Sequence, residues 1–449
     1  MTQAPVKSIA QIAAELQGYD PQALSATDVS RFLSLLVAPV TEQLELPLFE
    51  ALGRVLADDV VSPFDVPPHD NSAMDGYALA GAALAAGTEL HLKVVGTALA
   101  GKAWQGTVAP GECLKIMTGA IMPAGLDTVV PQEFVSAQGD RITVPAKLLK
   151  PGDNRRLRGE DLMQGRAALS KGELLTPARL GLVASLGMKT VPVLRSLRVA
   201  YFSTGDEILS LGEPPREGAV YDSNRYTVFG MLRRLGCDVI DMGVVRDEPA
   251  LLEAAFMRAA AQADAIITSG GVSVGEADHT KTMMKKLGDV AFWRVAMRPG
   301  RPMAAGRILQ AKSASSPLAT SASSYQNNSN PNGAILFGLP GNPVAVMVTF
   351  LAFVRPALLQ MMGCPAAAPP LLRARSLEPI RKKPGRTEYQ RGTVSSAADG
   401  SLQVQTTGNQ GSGVLSSMAE ANGLIVLHHG QGHVAAGEDV DVMMFDGVI

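Results

Sequence analysis

The sequence predicts a multidomain α/β protein, and three observations carry that reading. Four apolar strand-like runs each break into a Gly-, Asp- or Pro-rich loop: VAYFSTGDEI (199–208), VIDMGVVRDEP (239–249), AIITSGGVSVGEADHTK (265–281) and AILFGLPGNPVAV (334–346). Helical patterns separate them, and alternating β and α is the sign of a parallel sheet with ligands gathered outside its C-terminal strand ends. Before this α/β domain (197–363), helical segments at 25–61 and 146–196 flank a β-rich insertion at 62–145, whose short strands lie between Gly, Pro and Asp turns. After it, residues 371–449 carry short strands such as SLQVQTT and GLIVLHH, the texture of a small all-β domain.

Along the chain, Asp28 is placed to N-cap the first helix, and 48–56 reads as a second short helical run. A helix is expected at 177–186, and in the α/β domain at 224–235, 250–263, 278–287 and 343–361. Residues 311–333, rich in Ser, Asn, Ala and Pro, read as a surface loop that cannot bury a core. Residues 364–370 read as a linker.

Composition narrows the function classes. The chain has 449 residues, with 40 basic against 42 acidic ones and a net charge of −2, so no overall field recruits nucleic acid or membrane. Its three cysteines, Cys113, Cys237 and Cys364, are far apart, which argues against a disulfide frame or structural zinc and suits a reducing compartment. No signal peptide and no apolar run of roughly 18 residues is read, so a cytoplasmic location is expected.

The strand-end loops carry the candidate chemistry. Asp206 and Glu207 follow the first strand, where carboxylates can hold a divalent cation or move a proton, or can simply cap a helix. Ser269, Gly270, Gly271 and Ser273 offer backbone N–H groups and hydroxyls to an anion, without the Gly-Lys-Ser/Thr of a Walker loop; a tight turn is the plain alternative. Asp278 is either an N-cap or a substrate or metal ligand. Pro340, Gly341 and Asn342 open the long helix at 343, where an N-terminus can bind an anion. Arg294 and Arg298, four residues apart, would share one face of an extended strand and suit a phosphate or oxyanion, or sit on a solvated edge. The turn-rich 69–78 segment reads as a surface loop or as half of a site contributed across a boundary.

The ordered set DNSAMDGYA, IMTGA with PxGxDTVVPQE, RRxRGEDL, STGDE, YDSN, SGGVSVGEADHTK, MRPGRP and GLPGNPVA resembles the molybdopterin molybdenumtransferase (MoeA) family, related to the gephyrin E domain. The resemblance covers the chain from about residue 25 onward. It implies a homodimer of four-domain subunits: a helical linker domain, the insertion, a MogA-like molybdopterin-binding domain and a C-terminal β-barrel. It implies insertion of molybdenum from molybdate into adenylylated molybdopterin with release of AMP, assisted by a divalent cation, usually Mg²⁺, at a site between subunits. Carried over by motif, Asp75, Thr118, Asp161, Glu207 and Asp278 are the expected catalytic residues, with Asp75 and Thr118 supplied by the partner subunit. Asp247, Asp278 and Glu207 are the expected metal ligands. Ser269, Gly270, Gly271, Ser273, Arg294, Arg298, Pro340, Gly341, Asn342, Arg386 and Ser417 (or Ser416) are the expected substrate contacts. Arg294 and Arg298 stand where relatives often carry Lys. Expected partners are a molybdopterin adenylyltransferase and molybdoenzyme maturation proteins, with neither nucleic acid nor membrane. Two other readings remain: the adenylyltransferase itself, and a non-catalytic gephyrin-like scaffold.

Overall fold

The computed structural model describes residues 7–272, 279–309, 333–365 and 368–445. The 311–332 part of the predicted surface loop, and the candidates Ser273 and Asp278, lie outside the described residues. A six-stranded sheet forms the centre, in the order Asp238–Val245, Arg198–Thr204, Ala265–Ser269, Ala334–Leu339, Pro302–Ile308, Gly288–Arg294. The first four strands run parallel and are those that end in the Gly- and Asp-rich loops. The last two are antiparallel, so the sheet is mixed rather than wholly parallel. The reason is chain length: residues 295–301 can join two antiparallel neighbours, whereas a parallel crossover needs a dozen or more.

Alternation along the strands covers both faces. Val199, Tyr201, Ile267 and Phe337 point to the side packed by the helices Ser223–Arg234 and Pro343–Met361. Ala200, Phe202, Ile266 and Leu336 point to the side packed by Pro249–Gln262 and His279–Leu287. Contrary to the sequence reading, Pro343–Met361 is long and apolar enough to cross a membrane by length and composition; 67 % of its apolar window is buried in the fold, which makes it a core helix.

A second sheet builds the insertion, in the order Thr128–Pro131, Gly76–Leu79, Glu112–Ile116, Leu90–Ala98, Arg141–Val144, Ser136–Gln138. At the C-terminus, Thr387–Ser396, Leu402–Thr406, Leu372–Ser376, Asp439–Met444 and Gly423–Leu427 pair in that order, and the last returns to the first. That closed ring of five is a barrel. Met297–Arg298, from the α/β domain, adds to it as a further strand, with Met297 opposite Thr387 and Arg298 opposite Glu388.

The segments on either side of the insertion meet where Gln43–Pro47 pairs antiparallel with Thr190–Leu194. Just beyond, Arg195 reaches the central sheet: its guanidinium makes two 2.7 Å bonds to Asp264, and its Nε donates to Glu42 at 2.8 Å. Two local expectations are corrected. The helix expected to start at Asp28 is Ala26–Leu36, preceded by a shorter one at Ile9–Glu15, so its cap is Ser25, whose hydroxyl accepts from the Asp28 N–H, and Asp28 lies in the first turn. The 48–56 run is a single 3₁₀ turn, Leu48–Glu50, because Leu48 is tied to the Lys189 carbonyl and Gly53 to Leu175 before an α-helix can propagate.

Candidate functional site

The four loops at the parallel strand ends open on one cavity of about 1370 Å³, roofed by the barrel. Its floor is set by glycines that no other residue could replace. Gly270 (φ +93°) and Gly271 (φ +65°) are both left-handed; a Cβ would lie 2.4 Å from the Thr204 carbonyl at the first and 2.4 Å from the Thr280 side chain at the second. The close approach at Gly271 matters because buried Thr280 donates to Asp247 Oδ1 at 3.1 Å and lies 3.3 Å from Thr204 Oγ1. The turn thus fixes one carboxylate. On the two paired strands beneath, Ser269, Tyr201 and Ser203 form a buried triangle of hydroxyls, 2.7, 2.9 and 3.2 Å apart. Burial pushes the Tyr201 phenol upward, so it stays protonated and can donate.

A second acceptor-rich edge comes from the 221–224 segment. Asp222 Oδ1 caps the Ser223–Arg234 helix through the Arg225 N–H (3.1 Å), and Asn224 Nδ2 holds the Gly341 carbonyl at 2.7 Å. Their remaining oxygens, Asp222 Oδ2 and Asn224 Oδ1, are buried and have no hydrogen-bond partner among the described residues. Asn342 stands at the N-terminus of the Pro343 helix, but its side chain makes no capping bond and lines the cavity.

Positive charge faces these groups. Arg298, Arg301 and Arg386 line the cavity. Arg386 is oriented by Glu388, which is 2 % exposed; Nε and Nη2 each lie 2.8 Å from its Oε1. The result is a pocket with arginines on the barrel side and carboxylates, Glu207 and Asp247, at the strand ends. Such an arrangement can hold a polyanion together with a cation. Among the described residues no group of three or more His, Cys, Asp or Glu is placed to hold a metal ion. Glu207 and Asp247 are therefore a partial donor set, of the hard oxygen type that Mg²⁺ prefers when substrate phosphates complete its shell.

Of the expected residues, Glu207, Asp247, Ser269, Gly270, Gly271, Arg298, Pro340, Gly341, Asn342 and Arg386 come together here. Two expectations are corrected. Arg294 and Arg298 do not share a strand face: the strand ends at Arg294, where residues 294 and 296 donate to the carbonyls of Pro21 and Leu24, and Arg294 points to solvent outside the cavity. Arg301 takes the place expected for it. Ser417 is 2 % exposed, accepts from Arg391 Nε (3.0 Å) and donates to the Val414 carbonyl (2.6 Å), and neither it nor Ser416 lines the cavity. Ser412 does, in the GNQGSG loop whose glycines were the available signal. Asp222 and Asn224 were missed as individual residues although their YDSN motif is plain in the sequence.

Asp75, Thr118 and Asp161 do not line the cavity of their own chain. Asp161 is exposed in a turn, its N–H bonded to the Val66 carbonyl. Asp75 and Thr118 form a pair: Asp75 Oδ1 accepts from both the Thr118 N–H and its hydroxyl, each at 2.7 Å. Those two bonds hold the Asp75 carboxyl below the ordinary range. Thr118→Ala removes one of them and is expected to raise the Asp75 pKa in an NMR titration; an unchanged value would contradict the pairing.

Three family models match in sequence order: the MoeA N-terminal region (domain I and II) at 23–187, a probable molybdopterin binding domain at 200–360, and the MoeA C-terminal region (domain IV) at 373–445. The chain is 40 % identical over 424 residues to a molybdopterin molybdenumtransferase of Haemophilus influenzae, covering 94 % of this chain and 99 % of that one. It is 34 % identical over 440 residues to one from Nostoc sp., covering 95 % of each. The crystal structure of the molybdopterin biosynthesis moeA protein from Pyrococcus horikoshii OT3 superposes with a TM-score of 0.77 at 25 % identity, over 94 % of this chain and 100 % of that one.

Proposed function

The chain belongs to the molybdopterin molybdenumtransferase family, and from that premise we propose how its cavity performs the reaction. It is a transferase of molybdenum cofactor biosynthesis that inserts molybdenum into molybdopterin. In the reading favoured here, molybdate and adenylylated molybdopterin enter together, and AMP leaves. Both substrates are anionic, and the observation that carries the reading is the meeting of Arg298, Arg301 and Arg386 with Glu207 and Asp247 in one cavity at the strand ends.

Within it, the arginines bind and orient the oxyanions and stabilise charge that builds up as the phosphoanhydride breaks. Gly270 and Gly271 let the phosphate-bearing chain approach the backbone, and Ser269, held by the Tyr201 and Ser203 hydroxyls, offers a donor of fixed direction. Glu207 and Asp247 would hold Mg²⁺. Bound there, the ion supplies charge neutralisation at the departing phosphate. A homodimer would bring the partner subunit's Asp75, the partner subunit's Thr118 and the partner subunit's Asp161 to this cavity. A cytoplasmic location, an adenylyltransferase upstream and maturation proteins downstream complete the proposal. The adenylyltransferase reading is not favoured, because the chain spans nearly the whole length of the transferase relatives.

The test follows AMP release and active cofactor together, from adenylylated molybdopterin with Mg²⁺ and molybdate. Molybdate-dependent release, lowered by about 10² or more in Asp247→Ala with folding intact, is the expected result. Binding without release would indicate a scaffold, and adenylylated product from molybdopterin and ATP would indicate the preceding step.

A further inference from the structure

The carboxylate of Asp247 is not free to turn. Thr280 Oγ1, in the first turn of the helix His279–Leu287, donates to Asp247 Oδ1 at 3.1 Å. A carboxylate oxygen accepts, so the single hydroxyl proton of Thr280 is committed to that bond. The 3.3 Å contact between Thr280 Oγ1 and Thr204 Oγ1 is thereby ordered as well, with Thr204 as its donor. A directed chain results, from Thr204 through Thr280 to Asp247 Oδ1.

Packing removes the other options of Thr280. It is fully buried, and Thr204 is 5 % exposed. A Cβ on Gly271 would lie 2.4 Å from both Thr280 Cβ and Thr280 Cγ2, so the glycine lets the turn close on this side chain and hold its rotamer. The main chain is tethered too, since the Asp247 N–H donates to Asp206 Oδ1 at 3.4 Å. Among the described residues no other hydrogen bond or ion pair reaches the Asp247 carboxylate. Oδ1 is engaged inside the fold, and Oδ2 is left for the cavity that Asp247 lines with Glu207.

We propose that Thr280 is a positioning residue that sets which divalent ion this cavity takes: by occupying Oδ1 it makes Asp247 a one-oxygen ligand, which suits Mg²⁺ or Mn²⁺ and disfavours Ca²⁺. The ground is ion size. Mg²⁺ demands a near-octahedral shell at about 2.0–2.1 Å and keeps several waters, so one oxygen per carboxylate serves it. Ca²⁺ takes about 6–8 oxygens at longer range and gains from carboxylates that grip with both. Asp247 cannot swing to give both oxygens without breaking the buried chain. The inference rests on the cation reading above, and its test does not depend on turnover. Serine at 280 keeps the donor, whereas valine keeps the shape and removes it.

The experiment titrates Mn²⁺ into full-length protein with AMP present as the phosphate-bearing probe, and reads free Mn²⁺ by electron paramagnetic resonance. Bound Mn²⁺ is then displaced with Mg²⁺ and, separately, with Ca²⁺, in wild type, Thr280→Val, Thr280→Ser and Thr204→Val. Thr280→Val is expected to bind Mn²⁺ about tenfold more weakly, the usual loss when the partner of a ligating carboxylate is removed. The deciding quantity is the ratio of the Ca²⁺ to the Mg²⁺ displacement constant, which should fall by about fivefold or more as both oxygens become available. Thr280→Ser should hold the wild-type ratio to within about twofold, because the donor remains. An unchanged ratio in a folded Thr280→Val overturns the proposal even where all three ions weaken together, since uniform weakening marks general support alone. A ratio that falls as far in Thr280→Ser as in Thr280→Val overturns it too. If Thr280→Val does not fold, Thr204→Val decides: the Thr280 hydroxyl is then free to turn, so a ratio lowered by about two- to threefold supports the proposal and an unchanged one overturns it. If the wild type binds no Mn²⁺ with AMP present, the cation reading itself fails and takes the proposal with it. A wild type that binds Mn²⁺, with no change of ratio in Thr280→Val, defeats the proposal alone.

Discussion

Arg386→Ala is expected to lower kcat/KM for molybdenum insertion by about 10²–10³, the usual cost of removing one preorganised donor from a site where negative charge builds up. The size follows from how Arg386 is held. Two of its nitrogens are engaged by Glu388, whose carboxylate is almost wholly buried, so the guanidinium is aimed before substrate arrives. Arg386→Lys should recover little, because a flexible ammonium has no second edge for Glu388. Glu388→Gln keeps the shape of its partner and should cost less, roughly tenfold, through misorientation alone. Rates of AMP release at saturating and subsaturating molybdate separate these outcomes. An Arg386→Ala enzyme within about threefold of wild type would remove Arg386 from the anion site.

The largest stability effect is expected at Asp264, far from the chemistry. Asp264 is 3 % exposed and accepts two bonds from Arg195 and one from the Arg198 N–H, at 2.7, 2.7 and 2.9 Å. Arg195 is itself largely covered, with 11 % of its side chain exposed. Truncating the acid removes the buried counter-charge and leaves Arg195 only the solvent-exposed Glu42, a change that costs up to about 3–5 kcal/mol. The removal of both partners, Asp264→Leu with Arg195→Met, should cost less than Asp264→Ala, because no charge is stranded. Denaturant unfolding followed by the fluorescence of buried Trp293 reads the difference. A loss below about 1 kcal/mol in Asp264→Ala would mean that water reaches Arg195.

The sequence shows the strand-end loops clearly and hides what faces them. Parallel strands carry their C-terminal residues to one edge, so Glu207, Asp247, Ser269 and Gly341 could be gathered from periodicity and glycine placement alone. The roof was harder to read. Arg294 and Arg298 look equivalent at a spacing of four until residues 21–24 of the distant N-terminus intervene and end the strand between them. Ser417 looks like Ser412 until the barrel closes and turns one hydroxyl inward toward Arg391. Arg391 itself resembles any charged residue on a strand; its burial depends on a loop roughly twenty residues later in the chain folding over it. The Asp75–Thr118 pair is visible as two motif residues, but two hydrogen bonds to one oxygen are a property of the turn geometry. In each case local pattern is decided by a contact of long sequence separation, which composition and periodicity do not record.

The strand Met297–Arg298 has a consequence for how such proteins can be recombined. Because it pairs with Thr387 and Glu388, and the Thr387 N–H also reaches the Ala296 carbonyl, the two arginine-bearing segments of the cavity are locked in register by main-chain bonds. Neighbouring strands are spaced by about 4.8 Å whatever their side chains, so the separation of these segments is set by the backbone and not by either domain alone. The C-terminal barrel is therefore not a freely exchangeable module. A chimera that imports a foreign barrel must import its complement to residues 296–298 as well, and the smallest graft that preserves the site crosses the domain boundary.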